Sequence, residues 1–248
     1  MKKGIFYTFN FKGLFSGILV GLFLFSFILM IAFGNTAKTD KTVSKNDEIE
    51  VNQTVIIDAG HGGEDGGTAS SKGVNEKDIN LSVSKKLQML MSLSGYNIIM
   101  TRCDDNLIYD GQPDTIREKK ASDIINRMKI IENNPSAIFL SIHQNHFTES
   151  KYRGAQVFYT PQNAESEILA TKIQNAIIDK IQNDNTRKIK KSTDDVYLLY
   201  NAKSVAVMVE CGFMSNPSEA LLLEDESYQL KMAVAIISGT TDYLKGEI

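Results

Sequence analysis

The stretch "VIIDAGHGGEDGGT", Val55 to Thr68, sets the fold. Val55, Ile56 and Ile57 are a β-branched run too short for a helix, and they read as a buried strand. Gly60, Gly62, Gly63, Gly66 and Gly67 then let the backbone turn and lie close to a neighbour. His61, one of three histidines in the chain, falls among them, just past the strand's carboxyl end. Open α/β sheets bind their ligands at that end of their strands. Taken alone, the stretch fits a structural histidine in a glycine-rich turn better than a ligand, so its meaning depends on the rest of the chain.

Outward from this strand, apolar runs recur at Thr54–Asp58, Tyr96–Thr101, Ala137–Ile142, Ala155–Tyr159 and Ser204–Glu210, each with strand character. Helical spacing separates them. Ile79, Val83, Leu87, Leu90 and Met91 mark one helix face, and Ile116, Ile124, Met128 and Ile131 a second. Leu169, Ile173, Ile177 and Ile181 mark a third, and Leu230, Val234 and Ile237 a last one. Strands that are apolar along their whole length, alternating with helices, predict an α/β fold: a mostly parallel twisted sheet with helices on both faces.

The chain has 248 residues, 42% of them apolar, enough for one domain of ordinary size with an appendage. A net charge of −3 argues against a nucleic-acid surface. The appendage is N-terminal. Lys2, Lys3 and Lys12 precede the nearly uncharged stretch Gly13 to Gly34, which at 1.5 Å per residue covers roughly the 30 Å bilayer core. The flanking lysines predict a cytoplasmic tip and a membrane anchor over 1–34, with all that follows outside the cytoplasm. A cleaved signal peptide is the alternative, with Ala32-Phe33-Gly34 as its cleavage site and secretion as its consequence. Residues 35–53 are polar and aperiodic, a flexible stalk. Residues 54–248 form the folded domain. Cys103 and Cys211 make one pair at most and read as free or buried thiols.

The other histidines lie in "FLSIHQNHF", Phe139 to Phe147. His143 follows an apolar run just as His61 does, so the two can converge above the sheet. Glu76, next to the N-cap residue Asn75 in "GVNEKDINL", supplies a carboxylate in the first turn of a helix. The helix dipole alone also favours an acid there. Two histidines and a carboxylate are a common ligand set for one Zn2+ ion with a position left for water. Glu210 ends the apolar run of "VAVMVECGFMSNPSEA" and, if buried, needs a cation or an arginine such as Arg102. With a cation nearby it could act as a general base. Asp65 or Asp58 could orient a ligand from behind, and the residues do not choose between them.

"DAGHGGEDGG", "NEKDINL", "SIHQNH" and "VECGFMSNPSE" resemble, in order, the four sequence blocks of the zinc-dependent N-acetylmuramoyl-L-alanine amidases of bacterial cell walls, from Thr54 to the C-terminus. The resemblance implies zinc ligands at His61, Glu76 and His143 and a catalytic glutamate at Glu210. It also implies a substrate-side role for Asn145. It assigns nothing to His146, which could be an alternative ligand, a substrate contact or an exposed loop residue, the last being preferred. "GAQVFY" (Gly154 to Tyr159) and "YLLYNAK" (Tyr197 to Lys203) look most like the branch that trims the spore cortex. Some members carry a helical lid before the last strand. The interval from His143 to Glu210 is filled here by other predicted elements, so an open site is expected. The implied partners are peptidoglycan as substrate, the membrane through the N-terminal helix, and an accessory protein of unspecified identity. Three rivals stand beside this reading: a zinc peptidase acting within the stem peptide, a non-catalytic wall-binding or activator protein, and a structural membrane protein whose soluble part is only a spacer, which the ordered α/β pattern argues against.

Overall fold

A computed structural model describes residues 53–246. The expected membrane anchor, and the stalk apart from Gln53, lie outside the described residues. Among the described residues no helix is long and apolar enough to cross a membrane.

Six strands form one sheet: β1 (Thr54–Ala59), β2 (Asn97–Met100), β3 (Ile138–Asn145), β4 (Gln156–Tyr159), β5 (Lys190–Lys191) and β6 (Ala206–Phe213). Their order is β2-β1-β3-β6-β4-β5. All neighbours are parallel except β4, which runs antiparallel to β6. Among the described residues six helices pack with the sheet: α1 (Glu76–Leu93), α2 (Ile116–Glu132), α3 (Glu165–Lys180), α4 (Tyr197–Asn201), α5 (Pro217–Leu223) and α6 (Glu226–Leu244). The five apolar runs all become strands. The two-residue β5 is made of lysines and carries no hydrophobic signal at all.

The strands are apolar along their length because both faces of the sheet are covered. On one face Val55, Ile57, Leu140 and Val207 meet Val83 and Leu87 of α1, Ile173 of α3 and Ile236 of α6. On the other, Ile56, Phe139 and Met208 meet Met128 and Ile131 of α2 and Leu199 of α4. All of these are buried, most of them completely.

Two helix faces differ from the expected ones. Leu230 and Val234 on α6 are 40% and 41% exposed, and the buried side is Met232, Ala233, Ala235, Ile236 and Gly239. A Cβ added at Gly239 would stand 2.5 Å from the Ile173 Cα, so α6 lies directly on the α3 backbone through a small-residue seam. Hydrophobic spacing weights large side chains and is blind to such a seam. On α2, Ile116 and Ile124 face outward, while Asp123 and Arg127 are buried with Met128 and Ile131. That polar burial serves the site described next.

Two strands also run further than expected. β3 continues past Ile142 and β6 past Glu210, because a register shift between His143 and Asn145 lets pairing continue to Phe213. His143 and Glu210 therefore sit inside strands, as direct partners in the ladder, and not at strand ends.

Candidate metal centre

β1 delivers the chain to Gly60 and His61. A Cβ on Gly60 would come within 2.2 Å of the His143 Nε2, and one on Gly67 within 2.6 Å of the Glu76 Oε2. These two glycines are the open space in which the three side chains meet. His61 itself has φ +62°, a left-handed conformation that a non-glycine residue adopts at a cost and that clusters at functional sites.

The convergence is tight. Ligand atoms of His61, Glu76 and His143 all lie within 4.8 Å of one another. His61 Nε2 is 3.3 Å from Glu76 Oε2, and His143 Nδ1 is 3.0 Å from Glu76 Oε1. Glu76 is fixed by donors around it: the Thr68 N–H at 3.0 Å, the Gln144 N–H at 3.1 Å and the Asn80 amide at 3.3 Å. Asn75 occupies the N-cap of α1 as expected, but its side chain makes no capping bond. The imidazoles keep 24% and 22% side-chain exposure, so solvent reaches them.

Behind the cluster, Asp65 Oδ2 takes the His61 Nδ1–H at 2.8 Å. A carboxylate only accepts, so Nδ1 carries a proton, and Nε2, which faces Glu76, is the nitrogen left to bind a cation once its own proton is lost. The Lys120 Nζ donates to the other Asp65 oxygen at 2.9 Å. Of the two aspartates considered for this orienting position, the geometry selects Asp65. Asp58 lies below, accepting from Ser141 Oγ at 2.6 Å and Thr101 Oγ1 at 2.8 Å and pairing with Arg127.

Arg102 does not pair with Glu210. Its guanidinium donates to the carbonyls of Ala59 (2.8 Å), Gly60 (3.0 Å), Lys77 (2.8 Å) and Asp104 (2.8 Å), tying the turn before His61 to the start of α1. Arg127, which the apolar pattern did not reveal, holds the same turn from the other side. It pairs with Asp58 and Asp123 and donates to the Ala59 and His61 carbonyls at 2.8 Å. The Asp123/Arg127 spacing of four on a helix was the signal that could have found it. Asn145 ends β3, with its carbonyl accepting from the Met214 N–H at 2.8 Å. His146 is exposed and outside the cluster. Cys103 and Cys211 are both free thiols.

The electrostatics suit a cation. In the metal-free protein burial would lower the His61 pKa, but the Asp65 and Glu76 carboxylates outweigh it and raise the imidazole to about 9. Burial likewise opposes ionisation of Asp65 and Glu76, yet the histidines, with Lys120 beside Asp65, hold both well below the usual carboxylate range. Glu210 behaves oppositely. Burial, with the Glu76 charge adding to it, pushes its carboxyl up to about 7 despite the histidines. Its Oε2 is buried with no hydrogen-bond partner among the described residues. Two imidazoles and a carboxylate beside an orphaned carboxylate oxygen suit one divalent cation with nitrogen and oxygen ligands. The cluster opens on a cavity of about 370 Å³, with Phe139 and Met208 beneath and Ile124 and Tyr197 at its sides.

The family described as N-acetylmuramoyl-L-alanine amidase matches residues 55–242. A germination-specific N-acetylmuramoyl-L-alanine amidase of Bacillus subtilis is 37% identical over 190 residues, 76% of this chain and 78% of that protein. The LytC amidase of the same organism is 31% identical over 215 residues, 86% of this chain and 40% of its own. Among solved structures, the CwlD amidase of Clostridioides difficile in complex with the GerS lipoprotein is similar at a TM-score of 0.76. It is 42% identical, covering 79% of this chain and 100% of that one.

Proposed function

The chain belongs to the N-acetylmuramoyl-L-alanine amidase family, and on that premise we propose that it hydrolyses the amide between the lactyl group of N-acetylmuramic acid and L-alanine in peptidoglycan. The observation that carries this reading is the meeting of His61, Glu76 and His143 beside the unpartnered carboxylate oxygen of Glu210. His61, Glu76 and His143 would hold one Zn2+ ion. That ion supplies a Lewis acid for the amide carbonyl and makes a water acidic enough to attack at neutral pH.

Glu210 does the proton work. Its carboxylate takes the proton of the attacking water and delivers it to the departing alanine nitrogen, a role open to a carboxylate oxygen with no other hydrogen-bond partner among the described residues. Asp65 keeps His61 in one tautomer, Lys120 holds Asp65, and Arg102 and Arg127 fix the carbonyls on either side of the turn. Asn145, at the end of the same strand as His143, would contact substrate.

The likeness to the germination-specific amidase and to CwlD supports spore cortex as the peptidoglycan acted on. The solved complex of CwlD with GerS supports an accessory protein as partner. The domain plan of anchor (1–34), stalk (35–53) and catalytic domain (54–248) supports action outside the cytoplasm, with the membrane as the tether.

Digestion of purified wall tests the activity. The amidase reading requires release of intact stem peptides bearing a free N-terminal L-alanine. Products cut between amino acids of the stem would instead make the protein a peptidase, and no release would make it a wall-binding protein.

A further inference from the structure

The catalytic row of the sheet does not stop at Glu210. On the next strand Gln156 is its direct antiparallel partner, so the two side chains share a face about 5 Å apart. Gln156 is not free to turn. Its amide donates to the Lys188 carbonyl at 2.7 Å, and its Oε1 accepts from Arg187 Nη1 at 2.9 Å. Arg187 is held twice more, by Nε donating to the Arg153 carbonyl at 2.9 Å and by its guanidinium lying 4.4 Å over the Phe213 ring. Phe213 is in turn fixed through its N–H, which donates to Glu219 at 2.8 Å.

Arg187 is thus an oriented, half-buried cation, and no carboxylate among the described residues pairs with it. The nearby acids are otherwise engaged: Glu219 accepts from the Gly154 and Phe213 N–H groups, and Asp184 pairs with Arg153. Arg187 also borders a cavity of about 380 Å³ with Arg153, Asn185 and Tyr228. It opens the run "RKIKK" (residues 187–191), four basic residues of five in a chain of net charge −3. Lys190 and Lys191 form the edge strand, where lysine guards against pairing with another chain. Arg187 precedes that strand and has no such duty.

We propose that Arg187 binds a side-chain or α-carboxylate of the peptidoglycan stem peptide and sets the preference for acidic stems; this rests on the amidase reading above. One strand spacing plus one hydrogen bond places the guanidinium on the order of 10 Å past Glu210. An extended peptide advances about 3.3 Å per residue, which brings the second or third stem residue to Arg187. Free carboxylates at those residues would meet the guanidinium edge in a charge-assisted bond.

The test uses the full chain and soluble muropeptides in three forms: free acid, amidated at the second stem residue, or amidated at the third. The wild type should cleave the free acid with kcat/KM about tenfold or more above one of the amidated forms, mainly through KM, and that form identifies the residue bound. Arg187→Gln should erase this preference by losing activity only on the free acid, and Arg187→Lys should retain part of it. The preference is a ratio within each protein, so partial misfolding of a variant does not change it. Equal wild-type cleavage of all three forms overturns the proposal alone, as does a preference that survives Arg187→Gln. A wild type that cleaves none of them overturns the amidase reading and this proposal with it.

Discussion

Glu210 stands directly across the ladder from His143, with one carboxylate oxygen buried and unpartnered among the described residues. A backbone register therefore fixes the spacing between the His143 imidazole and the Glu210 carboxylate. Strands position such groups more rigidly than loops do.

That orphaned oxygen has a measurable cost in the metal-free protein. The Glu210 carboxyl titrates near the ordinary 4.5 when unfolded and near 7 when folded. Below 4.5 it is neutral in both states and contributes nothing. Above 7 it is charged in both and the fold bears the full penalty, on the order of 3 kcal/mol. Metal-free Glu210→Gln should melt several degrees above metal-free wild type at pH 8, with the gain fading toward pH 4.5. Equal melting temperatures at pH 8 would count against the burial argument.

His61 predicts proton release on metal uptake. Raised to about 9 in the metal-free state, it is protonated at pH 7.5 and must lose that proton to bind a cation. Affinity should climb roughly tenfold per pH unit up to about pH 9. Calorimetry at pH 7.5 in buffers of differing ionisation heat should find about one proton released, and fewer for Asp65→Asn. Identical release by the variant would remove Asp65 from the role given to it.

The five longer strands and the helix layers were legible because β-branched runs and helical spacing report burial directly, whereas the order of the strands in the sheet was not. Four chemistry-bearing residues were legible because His61, Glu76, His143 and Glu210 each adjoin such a run. What the sequence hid was polar or small. β5 is two lysines, the α3/α6 seam closes on Gly239, and Arg127 looks like any solvated helix residue until its partners are known. The antiparallel direction of β4 was hidden too, since Val157 and Tyr159 would be apolar in either sense.

The seam gives a fold prediction. Gly239→Ala must push α6 off the α3 backbone, because the added Cβ would meet Ile173 Cα at 2.5 Å. Overpacking of this kind costs about 1–3 kcal/mol, more than the roughly 1 kcal/mol that alanine gains over glycine in a helix. Denaturant unfolding should show net destabilisation, and a stabilised variant would mean the helices can separate freely.

Arg127 gives a second. Arg127→Met leaves the Asp58 and Asp123 carboxylates buried without their cation, a loss of about 3–5 kcal/mol. Burial opposes ionisation of Asp58, but Arg127 and its hydrogen bonds hold its pKa below the ordinary value. Its stabilising share is therefore present above about pH 4 and lost as pH falls through the folded value. The stability gap between wild type and Arg127→Met should narrow in acid, and a gap constant from pH 7 to pH 3 would contradict the ion-pair account.

The division of labour between the two glutamates is the central claim, and one paired measurement reaches it: bound zinc and amidase rate on the same preparations of Glu76→Ala and Glu210→Gln. Glu76→Ala should lose both metal and activity. Glu210→Gln should keep its metal at the wild-type level while its rate falls about 10²- to 10⁴-fold. A metal-free Glu210→Gln beside a metal-loaded Glu76→Ala would reverse the two assignments.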